Sequence, residues 1–482
     1  MNYRMVGYLL GIILAIEAAL LAVPAAVSLI YGENVFPFLI TIGILLIISV
    51  PAIIFKPSNT RIYAKEGFVC VAAAWILMSA FGALPFVLDG CIPSYVDAFF
   101  ETVSGLTTTG ASIRTEVESM PHGILFWRSF THWIGGMGVL VFMLAILPND
   151  NGRAMYLLRA EVPGPTKDKL VPKMRQSAMI LYGIYVVLTV MQIIALLCTK
   201  MPLFDSVVNS LATAGTGGFS VKNASIGAYE NPAAEWVIAV FMLLFGINFN
   251  IYFLLLVKKF KNVFKNEELR IYLTICLIAT AVISINTLSA VGGIGTSKAI
   301  RDAFFQVTSI ISTSGFSTVD YGTLWPSLSK TVIVMLMVTG ACAGSTAGGL
   351  KLSRVILAIK STSRNIRKMI RPKSVSVVRL DGEVQPIDTL HSVSNHIVLY
   401  AAVLAVATLL ISVDGLDFES NFTAALSCIS NIGPGLGAVG PMGNFSVYSP
   451  FSKLLLSFVM LFGRLEFIPM MILFSPTTWK KH

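Results

Sequence analysis

Long apolar runs broken by short polar stretches set the pattern of this chain. Ten of them, 5–30, 36–55, 68–88, 130–147, 180–198, 236–257, 271–290, 332–357, 397–413 and 454–474, are long enough to cross about 30 Å of hydrocarbon as helices, which takes roughly 20 residues. Between some of them lies a shorter apolar run that ends in hydroxyls and glycine. Four such windows of 16 residues align without a gap: DAFFETVSGLTTTGAS (97–112), DSVVNSLATAGTGGFS (205–220), DAFFQVTSIISTSGFS (302–317) and SNFTAALSCISNIGPG (420–435). Glycine holds the fourteenth place in each, as Gly110, Gly218, Gly315 and Gly433. The pattern predicts an all-α integral membrane protein built as span, half-helix, glycine loop, span, four times over. We divide it into an N-terminal two-helix domain (1–60) and four repeats, 61–150, 151–262, 263–372 and 373–482.

The half-helices carry the first chemical expectation. Asp97, Asp205, Asp302 and Ser420 open the windows and are good N-cap residues. About ten apolar residues follow, a helix of roughly 15 Å, which enters the hydrocarbon without crossing it. Irregular backbone at that depth is tolerated only against protein or a water-filled cavity. The carbonyl end of each half-helix, worth about half a negative charge, then points to the membrane centre. Four such ends converging make a cation site. Glycine allows consecutive carbonyls to turn to one side and replace an ion's water. The loops hold no carboxylate, which divalent cations usually want, so a monovalent cation is expected.

Composition fits this picture. Only 12% of the 482 residues are charged, and mean hydropathy is +0.78. The first run exceeds a signal-peptide core and lacks a small-residue cleavage site, so it reads as a retained helix. Net charge is +10, and most Lys and Arg gather in alternate loops and at the ends, the distribution that marks cytoplasmic segments. Both termini are therefore expected in the cytoplasm and the glycine loops outside, with no call for a nucleic-acid partner. The six cysteines are scattered singly, without the spacing of a disulfide frame or metal knuckle. The histidines show no metal spacing, and GLGAVG (435–440) follows no strand of a βαβ unit. Paired acids, nucleophile and base, and phosphate-loop motifs are lacking, which leaves no basis for reading an enzyme.

The loops TTTGAS, GTGGFS, STSGFS and SNIGPG, set in a fourfold pattern, resemble those of the Trk/Ktr/HKT superfamily of potassium transport proteins. The two extra N-terminal helices and the run GACAGSTAGGLKLSR (340–354) bring the chain closest to the bacterial Trk-type potassium-translocating membrane subunit. The resemblance implies M1–P-loop–M2 repeats around one central pore, with K+ as the transported ion and no covalently bound cofactor. It implies a selectivity filter from Thr108, Thr109 and Gly110; Thr216, Gly217 and Gly218; Thr313, Ser314 and Gly315; and Asn431, Ile432 and Gly433. Glycine in all four filter positions goes with potassium in that family, and serine in the first with sodium in some plant members. The fourth window departs most, with no opening Asp and with Pro434 after its glycine.

Two further features stand out. The stretch 340–349 interrupts the eighth run with small residues, poor helix formers that also suit close helix packing. The resemblance implies an intramembrane gate loop here, at Gly340, Gly344, Ser345, Thr346, Gly348 and Gly349, ending with Lys351 and Arg354 at the cytoplasmic side. Arg464 sits inside the last run, where a charge costs about 2.5–3.5 kcal/mol and usually faces a cavity. The matching arginine in the family is thought to face the permeation path; structural pairing with another helix is the alternative. Glu466, two residues on, does not share a helix face with it. The resemblance also implies a homodimer in the bacterial inner membrane, regulated by a cytosolic nucleotide-binding ring that would meet the basic segment 360–373. The competing reading is a cation-coupled secondary transporter of a small solute, for which Glu17 and Glu101 are the few intramembrane acids available.

Overall fold

A computed structural model of the chain describes residues 1–57, 59, 62–138, 174–290, 293–373 and 376–479. It is helical apart from one two-stranded hairpin, Arg379–Leu380 paired antiparallel with Glu383–Val384. Among the described residues, six helical segments are apolar and long enough to span a membrane: Tyr3–Ile30, Phe36–Ile54, Ala64–Asp89, Ala178–Cys198, Glu267–Ala290 and Ile387–Asp414. The first two form the N-terminal pair, and each of the other four opens a repeat. Their faces are only partly covered: Leu29, Ile47, Leu277, Ile285, Val398 and Leu409 stand exposed, as lipid requires and water would not permit in such numbers. The turn between the first two helices is itself a fastener. Glu33 accepts from the His122 and Gly123 amides at 2.7 and 3.0 Å, satisfying free donors at the start of His122–Gly136.

Four half-helices follow the spans: Tyr95–Leu106, Leu203–Gly215, Thr296–Ile311 and Phe418–Ser430. Their 12, 13, 16 and 13 residues make about 18–24 Å, still short of the hydrocarbon thickness. The expected caps are displaced. Ser94 and Asp417 accept from the amides of Asp97 and Ser420, while Pro202 and Gly295 precede the other two helices. Asp97, Asp205 and Ser420 thus occupy the third helical position and Asp302 the second turn. A cap oxygen one turn upstream reaches the free N–H groups better, leaving the acids to favour the positive helix end.

The helices after the glycine loops are where the sequence expectation fails most. Apolar composition predicts straight spans at 236–257 and 454–474. Instead Pro232–Phe245 turns by 90° into Phe249–Leu256, and Pro450–Arg464 stops before Ile468–Phe474, with Glu466 and Phe467 at φ 56° and 67°. Ser327–Thr339 and Leu352–Ile370 flank the small-residue stretch. In repeat one His122–Gly136 ends at Gly136, and the rest of the run expected at 130–147 lies mostly outside the described residues.

Each post-loop helix packs on the half-helix of the next repeat: His122–Gly136 on Leu203–Gly215, Pro232–Phe245 on Thr296–Ile311, Ser327–Thr339 on Phe418–Ser430, and Pro450–Arg464 on Tyr95–Leu106. This order is a closed pinwheel. Charge reinforces three of its seams. Arg301 meets Glu235 at 2.5 Å, Lys453 meets Asp97 at 2.8 Å, and Arg128, paired with Glu101 at 2.6 Å, donates to the Ser220 carbonyl at 3.1 Å.

Candidate functional site

Every half-helix ends in the same pair of hydrogen bonds. The amides of Thr108, Thr216, Thr313 and Asn431 donate three residues back, to Gly105, Thr213, Ile310 and Cys428; those of Thr109, Gly217, Ser314 and Ile432 donate five back, to Ser104, Ala212, Ser309 and Ser427. This is the Schellman ending, whose turning residue takes left-handed angles and is ordinarily glycine. Here that residue is Thr, Thr, Thr and Asn, at φ 57°, 57°, 56° and 56°. A β-branched residue in that conformation is a true outlier, costing on the order of 1–3 kcal/mol, and such strain concentrates at functional sites. Two residues on, Gly110, Gly218 and Gly315 return to positive φ at 77–79° and Gly433 at 103°. The sequence showed the glycine half of this device; the strained residue before it carries no compositional signal.

The four loops meet. A Cβ on Gly110 would overlap the Gly217 carbonyl oxygen, one on Gly218 that of Ser314, and one on Gly315 that of Ile432; on Gly433 it would stand 2.7 Å from that of Thr109. Contacts therefore pass from repeat one to two, three, four and back to one. Side chains brace the ring: the hydroxyls of Thr107 and Thr109 lie 2.8 Å apart, those of Ser312 and Ser314 2.9 Å, and Asn431 Nδ2 donates to Thr109 Oγ1 and the Met460 carbonyl, both at 3.0 Å. All twelve residues expected in the filter fall in these four segments. The fourth departs in detail as well as in sequence, because Ser427 Oγ donates to the Gly433 carbonyl at 2.7 Å.

Residues 340–351 form an irregular loop pressed against this ring. Gly348 N–H donates to Thr313 Oγ1 at 2.7 Å, and a Cβ on Gly348 would overlap the Ser430 carbonyl oxygen. The loop fits into the bend of repeat two, with Phe249 N donating to Gly344 O at 3.0 Å, Cys342 N to Gly246 O at 3.1 Å and Thr346 Oγ1 to Phe245 O at 3.2 Å. Its limbs close at a neck where a Cβ on Gly349 would lie 3.1 Å from Gly340 Cα. Ser345 turns back to the loop's own Cys342 carbonyl at 2.6 Å. Arg464 reaches across, donating to Thr346 O at 2.9 Å, Gly136 O at 3.0 Å and Gly135 O, so it ties the loop to repeat one.

Lys351 and Arg354, expected where the loop ends at the cytoplasmic side, are buried. Lys351 Nζ donates to Ala347 O, and Arg354 forms a two-pronged pair with Glu466 at 2.9 and 2.5 Å. Burial follows because the loop's turned-in carbonyls and one carboxylate offer them partners. Sequence reasoning missed Glu268, whose Oε1 accepts from Ala343 N at 2.8 Å and Ser353 N at 3.0 Å and so holds both limbs. Glu466 was weighed only against Arg464, and its pairing with Arg354, 112 positions away, was missed. Glu268 stands beside Glu267 just ahead of the run 271–290 and Glu466 lies inside the run 454–474, and neither position shows in sequence what it would bind.

Residues 37–481 match the family TrkH, described as cation transport protein. The chain is 35% identical over 493 residues to the Trk system potassium uptake protein TrkH of Salmonella typhimurium and 35% identical over 491 to that of Escherichia coli K12, covering 100% of each pair. TrkG of E. coli K12 is 32% identical over 99% of both chains. The crystal structure of the potassium transporter TrkH from Vibrio parahaemolyticus superposes with a TM-score of 0.90 at 30% identity, covering 100% of both. Matched from end to end, this all-helical membrane protein belongs to the TrkH family of cation transport proteins and is a transporter, not an enzyme.

Proposed function

We propose that this protein carries K+ into a bacterial cell across the cytoplasmic membrane, through a filter made by the four glycine loops. One observation carries the reading: the glycine–carbonyl contacts close into a single ring across all four repeats. Ring carbonyls at the C-terminal ends of four converging half-helices suit a monovalent cation stripped of water. The domains are one N-terminal pair and four pore repeats, with both termini cytoplasmic. The membrane potential drives the ion, worth about 2.3 kcal/mol per charge per 100 mV.

The loop 340–351 acts as the gate, since it abuts the Thr313 and Asn431 segments and must move for an ion to leave them on that side. Arg464, Lys351 and Glu268 hold it seated. A cytosolic nucleotide-binding ring docks on the basic segment 360–373 and unseats the loop, and the membrane part works as a homodimer. The test is current and Rb+ flux in liposomes containing the purified protein, with ion substitution and with and without a proton gradient. Expected are currents that follow the K+ gradient and a shift towards Na+ in Gly110→Ser. Uptake that demands the proton gradient would instead favour the coupled secondary transporter.

A further inference from the structure

The imidazole of His132 stands directly behind the second filter segment. It projects from His122–Gly136, is fully buried, and places Nδ1 2.8 Å from the Gly105 carbonyl in the last turn of the first half-helix. A carbonyl only accepts, so Nδ1 carries the proton and the neutral ring keeps Nε2 as a bare acceptor. That atom is buried without a hydrogen-bond partner among the described residues. The ring packs on Phe219 with centroids 4.2 Å apart. A Cβ on Gly217 would overlap three of its ring atoms, and one on Gly215 the His132 carbonyl. One turn earlier, Arg128 lies 3.6 Å from the Phe219 ring centre and holds the Ser220 carbonyl at 3.1 Å. Residues 215–220 are thus clamped to this helix along their length.

The second segment needs such a clamp. In the ring of carbonyls, Thr109 and Ser314 are fixed through their own hydroxyls and Ile432 through a fully buried side chain. Gly217 has no side chain. We propose that His132 is the positioning residue that sets discrimination among alkali cations, by fixing how far the Gly217 carbonyl stands from the pore axis. Ions of equal charge are told apart by the spacing and field of the oxygens around them, and a segment free to back away would lose that spacing. The helix of repeat four carries Met460 at the matching place, three residues before Gly463, as His132 precedes Gly135. The quarter built on the barest backbone receives the ring.

This inference rests on the filter reading, and the experiment separates the two. Reversal potentials of the full-length protein in liposomes would be compared for wild type, His132→Ala, Gly217→Ala, the double variant and Gly110→Ser. His132→Ala and Gly217→Ala should each lower the K+/Na+ permeability ratio about tenfold, which is ~1.4 kcal/mol: the first removes the support, the second pushes the segment off it. The double variant should recover, because the methyl occupies the vacated ring space. An altered ratio in Gly110→Ser together with an unchanged one in His132→Ala overturns the proposal and leaves the filter standing; no change in any variant overturns both. If His132→Ala does not fold, His132→Asn keeps an N–H near Nδ1 but not the ring face, and a wild-type ratio there overturns the proposal equally.

Discussion

Arg464 offers the sharpest test of the proposed gate. Among its acceptors, Gly135 O and Gly136 O belong to repeat one and Thr346 O to the loop. If the loop leaves while the arginine stays on repeat one, the seated state loses one hydrogen bond to a charged donor, worth about 1.5–3 kcal/mol. At 1.4 kcal/mol per factor of ten, Arg464→Ala should raise the unseated fraction about ten- to a hundredfold. The lost positive charge acts in the same direction, since it opposes a cation. Arg464→Lys keeps the charge but cannot span both partners, so it should fall between the two. Rb+ uptake without the regulatory partner, normalised to protein in the bilayer, is the assay. Unchanged or lower flux in correctly folded Arg464→Ala would refute the idea that Arg464 holds a gate.

Other predictions follow from single contacts. Gly218→Ala should abolish K+-selective flux in liposomes while the protein still inserts, because the new methyl overlaps the Ser314 carbonyl oxygen; wild-type selectivity would count against the ring. Glu17 is buried with neither carboxylate oxygen hydrogen-bonded among the described residues, so Glu17→Gln should keep full Rb+ uptake and equal or greater thermal stability. Loss of uptake there would support a coupled transporter. Asp417 has its carboxyl held below the usual aspartate value by the Ser420 hydroxyl and amide. A depressed value in the folded state gives stability above the unfolded pKa of about 3.9 that vanishes as pH falls through the folded one. The melting-temperature gap between wild type and Asp417→Asn should therefore narrow on acidification, and a constant gap would exclude this cap as the cause.

How far the sequence disclosed this molecule depended on whether a feature was local. Gly110, Gly218, Gly315 and Gly433 announced themselves because the same backbone problem recurs at the same register, and only glycine solves it cheaply. The strained Thr108, Thr216 and Thr313 stayed hidden because their angles come from the surrounding bonds and oppose their own propensity. The 90° bend between Phe245 and Phe249 was masked by unbroken apolar composition, since it depends on a partner, the loop whose Gly344 carbonyl takes the Phe249 amide. Glu17 and Glu101 looked alike as intramembrane acids. Glu101 turned out to serve Arg128, Ser112 and Ile113, a role set wholly by what lies opposite.

On the proposed reading, the irregular loop 340–351 in repeat three has a consequence for how such an assembly can arise. A channel made of identical subunits would have to put the same obstruction in every quarter or in none. Joining the quarters into one polypeptide frees each to specialise: one can lend a long insert to close the exit, another an imidazole, another an amide strut, while all keep a common rim. Divergence among the copies is then the source of the control machinery, and restoring strict sameness would cost the protein its regulation before it cost its pore.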